Sequence, residues 1–128
     1  MMSKRNSMST PTIIPISEKS TVRKDYFLAP ERLVSGNPQL TLWESFVDAT
    51  NNFSVGVWRG EVGTWNIAYK KDEYCEILEG RSVLTDRNGT SVTVVQGDKF
   101  VIPKGYTGTW EILEATKKIY ASYEPKNG

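Results

Sequence analysis

The chain is 128 residues long, a length typical of one domain with a hydrophobic core. Its 16 Lys and Arg residues and 15 Asp and Glu residues give a formal net charge of +1, which provides no field to hold nucleic acid or an anionic membrane. No apolar run approaches the roughly 20 residues of a membrane span. Cys75 is the only cysteine, and the N-terminus lacks the apolar core of a signal peptide. We therefore expect a cytoplasmic protein without nucleic-acid or membrane partners.

The sequence contains no histidine. This excludes Ser-His-Asp and Cys-His nucleophile systems, a histidine general base, and the His-containing types of zinc or iron site. Any catalytic chemistry must therefore use Glu, Asp, Lys, Tyr or Cys.

Residues 1–20 are rich in Ser, Thr and Pro and have one short apolar patch at Ile13, Ile14 and Ile16. This composition predicts a flexible N-terminal arm, with an edge strand at its end as the alternative. A single domain over residues 21–128 follows. Within residues 26–39, Pro30 is placed to open one helical turn, so we expect a short helix or a loop there.

From residue 40 onward, short runs rich in Val, Ile, Thr, Tyr and Trp are separated by Gly, Asn, Asp or Pro. These runs predict nine strands: Leu40–Phe46, Phe53–Arg59, Gly63–Tyr69, Glu73–Leu78, Arg81–Thr85, Ser91–Val95, Lys99–Ile102, Gly108–Leu113 and Lys118–Tyr123. Asn88-Gly89 lies between two of them and predicts a hairpin turn. No long helical pattern is present, so the fold is expected to be an all-β sandwich, barrel or jelly roll.

A glycine- and proline-containing stretch has the spacing of the second cupin motif, Gly-x5-Pro-x-Gly-x2-His-x3-Asn. Gly97, Pro103 and Gly105 match it. Gly108 stands at the histidine position and Ile112 at the asparagine position. The frame of the motif is present and its histidine is not.

An upstream stretch has the frame of the first cupin motif, His-x-His-x3,4-Glu-x6-Gly, in which Glu73 and Gly80 match. Other residues stand at the positions of the histidine pair: Ile67 and Tyr69, or Asn66 and Ala68 in the shorter spacing. Of the metal-binding side chains in this motif, the glutamate remains.

Several segments between about residues 30 and 123 resemble the small cupin family named for (S)-ureidoglycine aminohydrolase. They include Gly63-Thr64-Trp65, the stretch from Asp72 to Gly80, the stretch from Gly97 to Gly105, and Gly108-Thr109-Trp110-Glu111. The resemblance implies a double-stranded β-helix, the RmlC-like jelly-roll barrel of cupins. Deaminating members bind manganese through a glutamate, two histidines and a glutamine, of which this chain keeps the glutamate. We therefore expect no metal and no other cofactor.

Strand alternation places Trp65, Ile67 and Tyr69 on one face, and the cupin frame turns that face into the barrel. Glu73 would enter the same space from the next strand. Apolar walls would raise its pKa and make it a proton carrier or an acceptor for a ligand. The alternative is a structural role, in which Glu73 binds backbone N–H groups or pairs with a lysine.

Cys75 has the parity of Glu73, so it is expected to point inward, as core filler or as a nucleophile. Trp110 would share a face with the vacant position at Gly108. An aromatic wall there suits a sugar ring or a flat amide-bearing ligand, although tryptophan also fills barrels.

Three further polar side chains are candidates by position. Lys104 lies at a rim turn between Pro103 and Gly105, where it would meet an anionic ligand or solvent. Lys118 and Tyr120 share parity on the last strand, and both the pocket and the outside remain open to them.

The candidate ligand-binding residues are thus Trp65, Tyr69, Glu73, Cys75, Lys104, Trp110 and Tyr120, with Glu73 also the catalytic candidate. The predicted function is a cytoplasmic, metal-independent cupin that binds a small polar metabolite in its barrel. One alternative is a ureidoglycine aminohydrolase-like enzyme of nitrogen metabolism that uses Glu73 as its acid–base group. Another is a non-catalytic accessory protein with a filled barrel. A homodimer is expected, since small cupins commonly pair edge strands and the arm offers one to exchange.

Overall fold

The computed structural model describes residues 10–19 and 22–125, which form nine strands and one 3-10 helical turn. The strands are β1 (Val22–Phe27), β2 (Leu33–Ser35), β3 (Gln39–Val47), β4 (Phe53–Gly60), β5 (Gly63–Ala68), β6 (Asp72–Asp86), β7 (Ser91–Val95), β8 (Lys99–Ile102) and β9 (Thr107–Tyr123). The predicted all-β class is confirmed. The nine predicted strand segments coincide with β3 to β9 to within one residue, and two pairs of them are fused in β6 and β9.

The segment before β3 contains structure that the sequence pattern did not indicate. Pro30 does open a helical turn, Pro30–Arg32, but strands β1 and β2 flank it. Among the strands of the described residues, β1 pairs with β3 alone, and most of its residues are exposed. Because little of β1 is buried, its sequence does not show the apolar alternation that reveals a half-buried strand.

The long strands β6 and β9 pair antiparallel along most of their lengths. The second half of β9 continues into β4, β3 and β1, and its first half continues into β5 and β2. On the other edge of β6, β8 pairs with the first half and β7 with the second. Two sheets that share β6 and β9 therefore fold over each other as a double-stranded β-helix.

Gly80 lies where β6 passes from one sheet to the other. The register of β6 against β9 shifts at three places between Ile77 and Ser82. Gly80 has a φ of +92°, and a Cβ atom built on it would clash with the carbonyl group of Ala115. The bulge that bends β6 therefore requires glycine.

The expected hairpin at Asn88-Gly89 is confirmed, and it joins β6 to β7. The Asp86 side chain stabilises the turn, because its Oδ1 atom accepts hydrogen bonds from the backbone N–H groups of Asn88 and Thr90, at 2.9 and 3.0 Å. This is a common way for aspartate to stabilise a turn.

The described part of the predicted arm, residues 10–19, forms no strand and exposes Ile13, Ile14 and Ile16. Its Glu18 carboxylate lies 2.8 Å from the Nζ atom of Lys117 on β9. Residues 1–9 and 20 of the predicted arm lie outside the described residues, and flexibility of the arm stays a prediction.

The core lies between the two sheets. Its buried apolar side chains come from β3 to β9 and include Leu40, Trp58, Trp65, Ile67, Cys75, Ile77, Leu84, Val94, Ile102, Trp110, Ile112 and Tyr120. Among the described residues, no helix has the length and apolar character needed to cross a membrane.

Candidate functional site

A cavity of about 570 Å³, open to solvent, lies inside the barrel. Its lining comes from the segment before β3, from β3, β4, β5, β6 and β9, from the loop between β5 and β6, and from the residue after β9: Tyr26, Leu28, Arg32, Leu40, Leu42, Glu44, Ser54, Trp58, Trp65, Ile67, Ala68, Tyr69, Lys70, Lys71, Glu73, Trp110, Lys118, Tyr120, Ser122 and Glu124. The wall therefore combines apolar, aromatic, hydroxyl and charged groups, which is the composition of a small-molecule site.

The pairing of β9 with its neighbours brings the central side chains together. Trp65 lies opposite Trp110 in the β5–β9 ladder, and Trp58 lies opposite Lys118 in the β4–β9 ladder. Because side chains alternate along a strand, Trp110, Lys118 and Tyr120 all reach the interior. The long strand β9 thus supplies the centre of the site.

Three tryptophan rings, those of Trp58, Trp65 and Trp110, form a cluster at the deep end of the cavity. The rings of Trp65 and Trp110 are nearly parallel, with centroids 6.3 Å apart and an interplanar angle of 7°. The ring of Trp58 is tilted against both, at centroid distances of 6.1 and 5.6 Å. Such offset and tilted contacts are the favoured arrangements of aromatic pairs, so the cluster forms a rigid wall.

Hydrogen bonds hold two of the indole groups. Trp110 Nε1 donates to the Ser82 hydroxyl at 3.1 Å, and Ser82 is itself bonded to Thr116 at 2.7 Å. Trp58 Nε1 donates to the Tyr26 hydroxyl at 3.1 Å. Satisfied N–H groups let these rings remain buried without an unpaired donor.

The ammonium group of Lys118 lies beside the tryptophan cluster and is buried. Its Nζ atom is 2.9 Å from Glu73 Oε1, and it lies over the rings of Trp58 and Trp110, at 4.9 and 4.4 Å from their centroids. Burial removes this ammonium group from water, and a carboxylate and two aromatic faces stabilise its charge instead.

Glu73 is the hydrogen-bonding centre of the site. Its Oε1 atom accepts bonds from Tyr69 OH at 2.9 Å, from Lys118 Nζ at 2.9 Å and from the Cys75 thiol at 3.3 Å. The described donors all converge on Oε1, which leaves Oε2 available to accept a hydrogen bond from a ligand.

The pKa of the Glu73 carboxyl is lowered, and the expectation of a raised pKa is wrong. Burial alone would raise this pKa, but the charge of Lys118 and the hydrogen bonds from Lys118, Cys75 and Tyr69 outweigh it. The carboxylate is therefore ionised at neutral pH. It can accept a hydrogen bond, and it is a poor proton carrier.

The other titratable groups of this cluster keep their protons. Burial alone would lower the pKa of Lys118, but the acidic groups of Cys75, Glu73 and Tyr69 raise it well above its usual value. Burial raises the pKa of Tyr69, and it raises the pKa of the Cys75 thiol and of Tyr120 to about 12. The Tyr120 hydroxyl has no partner among the described residues, so it can donate to a ligand.

The residues of the site do not fit a metal ion. Within residues 10–19 and 22–125 no three His, Cys, Asp or Glu side chains are grouped as ligands, and the cation beside Glu73 is the Lys118 ammonium. At Gly108, where the motif would have a histidine, φ is +157° and a Cβ atom would clash with the backbone of Thr85. The position has no room for a ligand side chain.

Five of the seven predicted ligand-binding residues line the cavity: Trp65, Tyr69, Glu73, Trp110 and Tyr120. Cys75 points inward as expected, but it is fully buried behind Glu73 and does not line the cavity. Lys104 is exposed at its turn and lies outside the lining. Neither residue is therefore placed to contact a ligand in the cavity.

Sequence reasoning missed one central residue, Trp58, and left the orientation of Lys118 open. Parity groups Lys118 with Tyr120 on the last strand but allows either face. The alternative in which Glu73 pairs with a lysine is the one that the structure shows, and Lys118 is that lysine. Trp58 carried no comparable signal, because the residue before it, Val57, is also apolar. Alternation therefore does not show which of the two faces the cavity, and both are buried in the structure.

A double-stranded β-helix with a ligand-sized cavity between its sheets is the architecture of a cupin. The sequence profile of the EutQ-like cupin domain family matches residues 47–120, more than half of the chain. The chain therefore belongs to the EutQ-like cupin domain family. No curated protein matches its sequence significantly.

Solved structures share this fold. A protein of unknown function from Pseudomonas syringae pv. tomato superposes with a TM-score of 0.74 at 26% identity, over 84% of this chain and 46% of its own. The chain thus spans less than half the length of that relative. EutQ from Clostridium difficile gives 0.62 at 20% identity, over 74% and 77% of the two chains. Ectoine synthase from P. lautus gives 0.58 at 14% identity, over 67% and 64%.

Proposed function

We propose that this cupin binds a small polar metabolite in its barrel without a metal ion. The observation that carries the proposal is the open cavity of about 570 Å³, which has the size of a metabolite site. A wall of tryptophan rings offers apolar area, and the hydroxyl of Tyr120 and the Oε2 atom of Glu73 offer one donor and one acceptor. A ligand with both a flat or apolar part and polar groups fits this wall.

The cavity also favours a binding protein over the alternative of an accessory protein with a filled barrel. A filled barrel would have no ligand-sized space among its inward-facing side chains. Here Tyr69, Tyr120 and Glu73 border such a space, and their polar atoms are satisfied at lower cost by a ligand or by water than by an apolar filler.

The alternative of a ureidoglycine aminohydrolase-like enzyme receives less support from the site. That chemistry uses a metal in the family that the sequence resembles, and the residues here do not fit one. Glu73 is ionised and paired with Lys118, so it is poorly suited to donate a proton. Fold likeness adds little, because proteins named EutQ and ectoine synthase share the same barrel.

A metabolite screen by thermal shift, followed by calorimetric titration of the hits, tests the proposal. Leu42 lines the cavity and is partly buried, and a Leu42→Trp variant should narrow the cavity and abolish binding. Leu113 is exposed on β9 and lies outside the lining, so Leu113→Trp provides the matched control. A hit that binds both variants as tightly as the unmodified protein would place the ligand elsewhere, and a screen without hits would contradict a binding function.

A further inference from the structure

A second hollow of about 460 Å³ adjoins the mouth of the main cavity. It is lined by Arg32, Asn66, Ile67, Ala68 and Lys70. Four of these five residues, all except Asn66, also line the main cavity, so the two spaces lie side by side. We call this second space the side hollow. A ligand in the barrel can extend into it.

The side hollow is bordered by two cations and by no acid among the described residues. Neither Arg32 nor Lys70 takes part in an ion pair within that part of the chain, in contrast to Lys118, which is neutralised by Glu73. The acids Glu44 and Glu124 line the main cavity but not the side hollow. The positive charge at this side of the mouth is therefore uncompensated, and it attracts an anion.

The exposed side chain of Arg32 is hydrogen-bonded to the backbone at the edge of the side hollow. Arg32 ends the short helical turn that Pro30 opens, and its Nη2 atom donates to the backbone carbonyl of Asn66 at 3.3 Å. The remaining N–H groups of the guanidinium form a planar fork that matches carboxylate and phosphate oxygens in pairs. Lys70 adds a second charge beside this fork.

We propose that the side hollow is a subsite for an oxyanion, a carboxylate or a phosphate, carried by the metabolite that the barrel binds. The inference rests on the proposed function and narrows it to organic anions. The uncharged part of such a ligand lies against Ile67 and Trp65 in the main cavity, and its anionic group lies between Arg32 and Lys70. Charges in the deep end of the cavity are already paired, so the ligand needs no second charge there.

The test compares three small probes, benzoate, phenyl phosphate and benzamide, by calorimetry or by NMR titration at low and high salt. Benzoate and benzamide have nearly the same shape and differ in charge. We expect at least one of the anions to bind about tenfold or more tightly than benzamide, with a preference that weakens as salt rises. The tighter of the two anions identifies the oxyanion.

The variants are Arg32→Gln and Lys70→Gln, with Lys99→Gln on β8, outside both spaces, as the matched control. Each of the first two should lower anion affinity about fivefold or more relative to any change in the affinity for benzamide, and Lys99→Gln should change neither. Equal binding of benzamide, or an anion preference that survives both variants, overturns the subsite and leaves the proposed function standing. Failure of both anions to bind at millimolar concentration also overturns it, and the metabolite screen then tests the barrel separately.

Discussion

The Nζ atom of Lys118 lies 2.9 Å from Glu73 Oε1 and 4.4 Å from the centroid of the Trp110 ring. The chain thus supplies its own cation to the surviving motif glutamate, from a strand 45 residues further on. The pair satisfies a buried carboxylate that would otherwise be costly. Four predictions follow from this pair and its surroundings.

Removal of one partner of the pair should destabilise the fold more than removal of both. Lys118→Met leaves the buried Glu73 carboxylate unpaired, and we expect a loss of about 3–5 kcal/mol in the free energy of unfolding. Glu73→Gln leaves an ammonium that the rings of Trp58 and Trp110 still face, so its loss should be smaller. The double variant should lie within about 2 kcal/mol of the unmodified protein, since neutral groups replace both charges.

Chemical denaturation of the four proteins measures this cycle. An exposed pair provides the control: Arg81 and Glu114 lie 3.7 Å apart with largely exposed side chains. The same cycle on that pair should give a coupling below about 1 kcal/mol. Additive effects of Lys118→Met and Glu73→Gln would contradict the ion pair.

The pair should also give a stability plateau between acid and alkaline limits. The pKa of Glu73 is lowered from 4.5 by Lys118 despite its burial, so its contribution is present above pH 4.5 and is lost as the pH falls through the folded pKa. The pKa of Lys118 is raised above 10.5, because its acidic neighbours outweigh burial, so its contribution is present below pH 10.5 and is lost as the pH rises through the folded pKa.

Unfolding curves of the unmodified protein and the Glu73→Gln, Lys118→Met double variant, recorded across the pH range, test this prediction. The difference between the two proteins removes the effect of exposed acids such as Asp25 and Asp48, whose pKa values are also lowered by hydrogen bonds. The stability of the unmodified protein relative to the double variant should be highest between about pH 5 and 10 and should fall at both ends. A relative stability that does not change with pH would contradict an ionised Glu73–Lys118 pair.

The strands were predicted well because they obey simple local rules, whereas the barrel was implied by the resemblance to cupins. Short β-rich runs bounded by turn residues predicted β3 to β9, and Asn88-Gly89 predicted the hairpin. The fusion of two segments into β6 could not be predicted in this way, because Gly80 looks like a turn residue. Its positive φ serves a bulge within a continuous strand. A local pattern does not distinguish a turn from a bulge.

The candidate site was predicted only in part, because some of its contacts join distant strands. Motif spacing and alternation placed Trp65, Tyr69 and Glu73 in one interior, and the structure agrees. The partner of Glu73 depends on which strand lies opposite and in which register, and this is a long-range property. The sign of the Glu73 pKa shift depends on that partner, so it was wrong when argued from burial alone. Charge pairing between distant strands is thus the information that local patterns lacked.

Cys75 should be unreactive in the folded protein. It is fully buried, and burial raises the pKa of its thiol to about 12, so almost none of it is thiolate at pH 8. We expect no reaction with iodoacetamide or with a disulfide reagent until the protein is denatured, when one equivalent should react at once. Rapid labelling of the native protein would contradict the burial and would reopen a nucleophilic role.

The last prediction concerns metal. Because Lys118 holds the position beside Glu73, protein purified without added metal should contain no equimolar manganese, iron or zinc after dialysis, and these ions should not raise its melting temperature. A Gly108→His substitution should not create a metal site, since its Cβ atom would meet the backbone of Thr85. Gly108→Ala, which adds the same Cβ atom without a ligand, is the control, and both variants should be destabilised by a similar amount, about 1–3 kcal/mol. Elemental analysis and thermal unfolding measure both outcomes. Stoichiometric metal in the unmodified protein would contradict the assignment of Lys118 as the cation of the site, and a Gly108→His variant that gains stability with zinc would contradict the closed packing at that position.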